Sequence, residues 1–412
     1  MKILKFFVTL SIFVSLSASA LLEVNIIKSR EAAFPIVIAP FEIVGNSNNV
    51  DIAKIIRDNL NRSGQFNALS TQALITNQID FSFWQEHKKD AVVFGKIEQV
   101  SSKVYNVYIY IYDVFSEKSL YQKKIQVHNS GFRRIAHFLS DKIYYVLLGQ
   151  KGSFDTRLSY VTVSENSNGG KTYKLQISDS DGFNPQTVVR SSNPILSPAW
   201  SKDQKKLAYV SFKNNRSEVF VMTPFIKTIP IKLPKFDGIA SSPTWHPDGN
   251  SIALTISKKG NKDIYLYDLN SEELKRLTKN ISIDTEASFS PDGNKIAFTS
   301  NRTGQVQVYI KDLKSEKISR ATFEGRYNAK PVFSPDGKDL ALIHRVGKDY
   351  RLALLDIASR DLTVMTQNKS DESPYFSPNG GMIIFSTNRE NKGILSIISL
   401  QNNQIVELMQ KE

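Results

Sequence analysis

Carboxylates recur ahead of short apolar runs in the second half of this 412-residue chain. Asp284-Thr285-Glu286 and Asp371-Glu372 each lead a run that ends in an aromatic residue, and Asn328 and Lys330 occupy the equivalent place in another. Two carboxylates across a cavity are the equipment of glycoside hydrolysis, one as acid and one as base or nucleophile. The same groups on a rim of loops accept turn hydrogen bonds or contact another protein. Asp179 and Asp181, in Ser178-Asp-Ser-Asp-Gly, invite comparison with a calcium loop. The run lacks the closing bidentate Glu of an EF-hand and reads as a turn, so no metal site is expected there. Other chemistry finds little material. There is no cysteine, which excludes thiol catalysis, disulfides and Cys-ligated zinc. No two glycines lie four apart, so there is no Gly-x-Ser-x-Gly elbow. Neither a Walker lysine nor His-Glu-x-x-His is present. Of the 5 histidines, Glu86-His87 is an isolated polar pair, His246 replaces a serine found in equivalent turns, and His344 lies beside a strand. No catalytic residue and no cofactor is expected.

The carboxylate segments belong to a repeat. Ser197-Pro-Ala-Trp200, Ser242-Pro-Thr-Trp245, Glu286-Ala-Ser-Phe289, Lys330-Pro-Val-Phe333 and Ser373-Pro-Tyr-Phe376 keep their aromatics 45, 44, 44 and 43 residues apart. A turn follows each: Ser201-Lys-Asp-Gln, His246-Pro-Asp-Gly, Ser290-Pro-Asp-Gly, Ser334-Pro-Asp-Gly and Ser377-Pro-Asn-Gly. Pro presets φ at the second position and Gly accepts positive φ, which suits a tight hairpin. Four short strands in such a unit make a propeller blade. One blade exposes two apolar faces, so blades must pack radially and close. Residues 157–412 hold five full units and a leading partial one through 157–163, 173–178 and 186–190, giving six blades. The partial blade lacks an inner strand and 401–412 runs out after the last outer strand. Either blade one has three strands or an irregular segment fills the gap.

Ahead of the repeat, residues 21–150 read as a small α/β domain, followed by a linker at 151–156. Short strands are expected at 23–28 and 36–41, and a helix near 50–62 with Ile52, Ile55, Ile56 and Leu60 on one face. Asn49 is its expected cap and Gly64 its stop. A buried strand at 91–95 and an aromatic ribbon at 104–115 with both faces partly covered come next, the ribbon pairing with 120–127. A last helix over 131–148 is expected between Ser130 and Gly149. Residues 1–20 read as a signal peptide: Lys2 and Lys5, an apolar stretch from Phe6 to Leu16, and Ala18-Ser-Ala20 as cleavage site. The stretch is too short to span a hydrocarbon core. The mature chain then begins at Leu21 in an exported aqueous compartment. Its tail, Leu21-Leu22-Glu23-Val24-Asn25-Ile26, is β-compatible at a free end, suited either to strand addition on another sheet or to serving as the first strand of its own domain.

The composition, 41% hydrophobic and 23% charged, is that of a folded chain. The net charge of +13 is spread thinly, with no block of five or six like charges. A nucleic-acid binder concentrates its basic residues on one face, so no nucleic-acid partner is expected.

Several stretches together resemble the TolB family of the Tol–Pal system of Gram-negative bacteria. They are Glu23-Val-Asn-Ile, Asn61-Arg-Ser-Gly-Gln-Phe-Asn, Ala91-Val-Val-Phe-Gly, Thr156-Arg-Leu-Ser-Tyr-Val, Ser178-Asp-Ser-Asp-Gly-Phe-Asn, Ser197-Pro-Ala-Trp-Ser and the Ser-Pro-Asp-Gly turns. The turns alone are shared with peptidase propellers; the domain order and the Ser-Asp-Ser-Asp-Gly-Phe-Asn run are more specific. The resemblance covers essentially the whole chain. It implies a periplasmic, non-catalytic adaptor whose propeller binds the peptidoglycan-associated lipoprotein Pal, and through Pal the outer membrane. It further implies that the N-terminal tail binds the inner-membrane protein TolA, with the two interactions coupled, in support of outer-membrane invagination at division. The resemblance also implies other outer-membrane proteins as partners, and colicins in some hosts. Asp284, Thr285, Glu286, Asn328, Lys330, Asp371 and Glu372 match the Pal-contacting positions, and Leu21–Ile26 the TolA-binding tail. One departure is Ile239-Ala-Ser-Ser, where the family has a histidine. The competing expectation is a periplasmic hydrolase or glycan-processing propeller using Glu286 and Glu372.

Overall fold

The computed structural model describes residues 33–409 except 46–49, 77, 166, 214–215, 227 and 391. The signal segment, the strand expected at 23–28, the tail Leu21–Ile26 and Asn49 lie outside the described residues. The first apolar run forms β1 (Phe34–Ile38). With it in one sheet are β2 (Glu42–Val44), β3 (Phe66–Ser70), β4 (Ala91–Ser101), β5 (Val104–Asp113) and β6 (Ser119–His128). The order is β3-β1-β4-β5-β6, with β2 also on β4. β1 is parallel to β3 and β4, whereas β4, β5 and β6 form an antiparallel meander. Parallel neighbours need a crossover, and α1 (Ile52–Arg62) supplies it between β1 and β3. Its Ile52, Ile56 and Leu60 are fully buried, as their spacing predicts. The cap is Asp51, whose carboxylate accepts the Lys54 N–H at 2.9 Å.

A short α2 (Phe81–Glu86) lays Trp84 against the other side of the sheet. The ribbon is covered on both faces, because β5 alternates between two cores. Tyr105, Val107, Ile109 and Ile111 join the cluster of α1 and of α3 (Phe132–Leu148). Tyr110 and Tyr112 stack on Phe94 at 5.0 and 6.0 Å in the second cluster. Ser130 does not cap α3. A 3-10 turn over Asn129–Gly131 intervenes, and Gly131 stands at the cap with no side-chain bond. Gly149 ends the helix at φ 70°, left-handed as expected.

Six sheets follow. Blade one has three strands, β7 (Arg157–Glu165), β8 (Lys171–Asp179) and β9 (Gln186–Ser191). The other five are four-stranded meanders, inner to outer. Blade two is β10 (Ile195–Trp200), β11 (Leu207–Ser211), β12 (Glu218–Met222) and β13 (Ile231–Lys232). Blade three is β14 (Ile239–Trp245), β15 (Ser251–Lys258), β16 (Asn261–Asp268) and β17 (Leu274–Arg276). Blade four is β18 (Asp284–Phe289), β19 (Lys295–Ser300), β20 (Gln307–Asp312) and β21 (Ile318–Arg320). Blade five is β22 (Asn328–Phe333), β23 (Asp339–Val346), β24 (Asp349–Asp356) and β25 (Leu362–Val364). Blade six is β26 (Asp371–Phe376), β27 (Met382–Arg389), β28 (Lys392–Ser399) and β29 (Ile405–Met409).

Antiparallel order sorts the connections. Each first-to-second-strand turn and third-to-fourth-strand loop lies on one face, the turn face. Each start of an inner strand and each second-to-third-strand hairpin lies on the other, the mouth face. On the turn face Ser290 Oγ donates to Asp292 at 2.5 Å and Gly293 N–H to Ser290 O at 2.9 Å. Successive turns interlock, since a Cβ on Gly337 would stand 3.3 Å from Pro291, ordinary van der Waals room being lacking.

The expected gap is real among the described residues: blade one has three strands. What meets blade six instead is the α/β part. Ile383, Phe385 and Ile398 face blade five, whereas Met382 and Ile397 join the core cluster of α1, α3 and Phe154. Polar contacts continue this seam on the turn face, with Ser399 Oγ donating to Ser63 O at 2.7 Å and Ser153 Oγ to Asn379 Oδ1 at 3.1 Å. The segment expected as a linker is pinned as well. Asp141 of α3 accepts the Phe154 N–H at 2.7 Å and the Asp155 N–H at 3.1 Å.

Candidate partner-binding face

The inner strands build the mouth with one repeated device. In each of the five full blades the pairing to the second strand slips by a bulge in mid-strand. The residue at the slip is left-handed: Ser197 at φ 51°, Ser242 at 48°, Glu286 at 56°, Lys330 at 53° and Ser373 at 53°. Such a conformation costs a non-glycine residue roughly 1–2 kcal/mol. Proline follows four of these five residues, and its missing N–H costs no ladder bond where pairing is already broken. Bulges re-aim side chains.

Two of these strained residues carry charge, and they communicate across blades. The Glu286 N–H donates to Thr255 Oγ1 of blade three at 3.3 Å. Thr299 Oγ1 donates to Glu286 Oε2 at 3.0 Å and accepts the Lys330 N–H, also at 3.0 Å. Lys330 Nζ then lies 3.7 Å from Glu372 Oε2. Thr285 Oγ1 is 3.3 Å from Thr255 Oγ1. Thr285, Glu286, Lys330 and Glu372 are thus partly or fully accessible and linked through blades three to six.

The other three expected residues are buried. Asp284, Asn328 and Asp371, each the first residue of an inner strand, are 0% exposed. Asp284 accepts two bonds from Arg302 Nη2 at 2.9 and 3.0 Å, and the guanidinium lies over the Phe298 and Tyr309 rings. Asn328 donates to Gln307 Oε1 at 2.9 Å and Glu324 O at 2.8 Å. Its Oδ1 accepts from His344 Nδ1 at 2.8 Å. Asp371 accepts from Thr366 Oγ1, from the Leu352 N–H at 3.1 Å and from Asn368 Nδ2 at 2.9 Å. These three shape the loops, and solvent does not reach them.

Sequence reasoning missed Tyr327. Burial raises its phenol above the ordinary value, and the charges of Glu286 and Glu372 add to the shift, so it stands among the mouth residues. Its ring meets Tyr350 edge-on at 5.3 Å. The available signal was an aromatic residue directly ahead of Asn328 in a loop. His344, spent on Asn328, is held below its ordinary pKa by burial. His246 packs edge-on against Phe289 at 4.8 Å on the turn face. His87 Nδ1 lies 2.8 Å from Phe83 O of α2.

Asp179 and Asp181 enter a different cluster, where α1 and α3 meet blade one. Arg133 Nε donates to Asp179 at 3.2 Å and Nη2 to Asp181 at 2.5 Å, and its guanidinium lies 3.8 Å from the Phe183 ring centroid. His137 Nε2, buried and without a hydrogen-bond partner among the described residues, faces the same carboxylates at 3.7 and 3.9 Å. A histidine and two aspartates this close could in principle hold a cation, yet the donors do not fit one. Arg62 Nη2 donates to Asn59 Oδ1 at 2.8 Å, which turns the Asn59 amide nitrogen toward His137 Nδ1 at 2.9 Å. Nδ1 therefore accepts, and the ring proton of neutral His137 sits on Nε2, where a metal ligand needs a lone pair. The run Ser178–Asn184 folds as a turn, with Gly182 N–H on Asp179 O at 2.9 Å.

Residues 22–120 match the family model described as the TolB amino-terminal domain and residues 144–412 that of the TolB beta propeller domain. A Tol-Pal system protein TolB of Ruthia magnifica is 60% identical over 403 residues, covering 98% of this chain and 95% of that one. Its counterpart from Vesicomyosocius okutanii is 58% identical over the same shares. The crystal structure of TolB from Acinetobacter baumannii superposes with a TM-score of 0.81 at 38% identity, covering 90% of this chain and 92% of that one. With both family models matched in order and its relatives covered almost end to end, the chain belongs to the TolB family of the Tol–Pal system.

Proposed function

We propose that this Tol–Pal component is a non-catalytic periplasmic adaptor. Its mouth face binds the lipoprotein Pal through Thr285, Glu286, Lys330 and Glu372, and the tail Leu21–Ile26 engages TolA. Asp284, Asn328 and Asp371 serve the same surface indirectly by holding its loops. Through Pal the protein associates peripherally with the outer membrane and supports its integrity and its invagination at division. The observation that carries this reading is the polar chain Glu286–Thr299–Lys330–Glu372, which runs across three blades at an accessible mouth. Strained residues held in one geometry suit recognition of a fixed partner surface.

Calorimetry with the soluble domain of Pal tests the reading. Glu286→Ala with Glu372→Ala is expected to weaken binding by about 1–3 kcal/mol, the worth of charged hydrogen bonds. Unchanged affinity would move the site to another face. Removing Leu21–Ile26 is expected to abolish TolA capture while leaving Pal binding intact or stronger. Normal TolA capture by the truncated chain would reject the tail assignment.

A further inference from the structure

Charge that is scattered along the chain is gathered by the fold. The second-to-third-strand hairpins all open on the mouth face, and the tips of blades two, three, five and six are basic, whereas Arg302 of blade four is spent on Asp284 and the β7–β8 tip of blade one sets Glu165 opposite Lys171. Blade two contributes exposed Lys213 and Arg216, and blade three exposed Lys258, Lys259 and Lys262. Blade five adds Arg345 and Lys348, and blade six Arg389 and Lys392. Glu390 is the exposed acid among the described residues of these tips. Lys258 and Arg389 have carboxylate partners, Asp237 and Glu407, both at 2.7 Å. No carboxylate among the described residues is within ion-pair distance of Lys259, Lys262, Lys348 or Lys392. The turn face differs, because its Ser-Pro-Asp-Gly turns and outer loops mix lysines with Asp203, Asp248, Asp292, Asp336, Asp268 and Asp312. On the inner strands themselves the accessible charged groups include Glu286 and Glu372, with Lys330 between them, and the loops leading into those strands carry both signs, among them exposed Lys235, Asp237, Glu324 and Arg326.

We infer that the partner of the mouth face is a folded protein domain with an acidic rim around a cationic or amide-rich protrusion, and that the basic hairpin tips steer its approach. This rests on the mouth being the Pal-binding site. The pattern selects the class of partner. An anionic bilayer carries one sign of charge throughout, and bringing it onto the tips would also bring it onto Glu286 and Glu372. With a screening length of about 8 Å at physiological ionic strength, inner and outer rings are read as separate fields. Rim charges act mainly on association rate, and complementary fields raise it by roughly ten- to a thousandfold.

The test follows association of the soluble Pal domain with the full mature chain by stopped flow, at low and high salt. Lys259→Glu with Lys348→Glu is expected to slow association about tenfold at low salt. Its dissociation rate should change by less than about twofold, as rim substitutions do. The same charge change on the turn face, Lys317→Glu with Lys338→Glu, should leave both rates unchanged. If the wild-type chain binds Pal and the hairpin variant associates at the wild-type rate, or the turn-face variant slows equally, the steering inference fails while the mouth assignment stands. If the wild-type chain binds no Pal, the assignment itself fails and takes the inference with it. Phosphatidylglycerol vesicles and heparin form the second arm. Binding of either that depends on Lys259 and Lys348 and displaces Pal would overturn the inference in favour of an unpatterned polyanion.

Discussion

At the scale of single residues, exposure separates roles that composition cannot. Asp284 and Glu286 stand two apart in one strand, where alternation would place them on the same side. Asp284 is nonetheless buried against Arg302 and Glu286 accessible, because the bulge begins between them. Removing Asp284 strands a guanidinium whose side chain is only 15% exposed. Asp284→Ala is therefore expected to cost about 3 kcal/mol of stability, read by chemical denaturation, since breaking a buried pair leaves an uncompensated charge. Glu286→Ala should cost less than about 1 kcal/mol, because its lost bond to Thr299 lies near solvent. Equal losses for the two variants would show that Asp284 is not an internal tie. The seven mouth positions were legible as a group; their division into four accessible and three buried residues needed the loops that fold over them.

At the scale of elements, the α1–α3 seam on blade one predicts a pH response. Burial is the main cause that lowers the His137 pKa, and Arg133 and Arg62 act in the same direction. Asp179 and Asp181, facing it from the β8–β9 turn, oppose that shift without reversing it. In the unfolded chain imidazole titrates near 6.5. The native state thus takes the proton less readily, so stability is complete above about pH 6.5 and declines as pH falls toward the lower native value. Melting temperature is expected to fall between about pH 6.5 and 5, and to fall less steeply in His137→Gln, which keeps an acceptor for Asn59. Identical slopes would mean that the ring is not held neutral. Nothing in the spacing of His137, Asp179 and Asp181 announced this meeting. The residues come from two elements more than forty positions apart, and only packing of α3 on blade one joins them.

At the scale of the whole molecule, no strand among the described residues is shared between the first and last blades, and the α/β part packs on both of them. Helices α1 and α3 hold blade six through Met382 and Ile397 and blade one through Arg133. Ile397→Ala is expected to cost about 2–5 kcal/mol, as buried large-to-small changes do. Amide hydrogen exchange should rise first in β7–β9 and β26–β29, the two sides of that seam. A rise confined to blades three and four would place the weak point elsewhere.

Periodicity alone determined the repeat, the six blades and the helix faces of α1 and α3, and it left a three-stranded first blade and an irregular filler as alternatives that the sheet order decided. These are local or near-neighbour properties, set by side-chain alternation and by the turn chemistry of Pro and Gly. The helix caps differ from the sequence expectation, with Asp51 and not Asn49 capping α1 and Gly131 and not Ser130 ahead of α3, because several polar or small residues compete for each helix start. Only the tertiary structure decided which mouth residues meet solvent, what holds the ends of the ring, and that the basic hairpin tips of four blades open on one face. Each of these depends on segments far apart in the chain. Their contacts are set by how sheets stack around an axis, and a count along the sequence carries no record of that geometry.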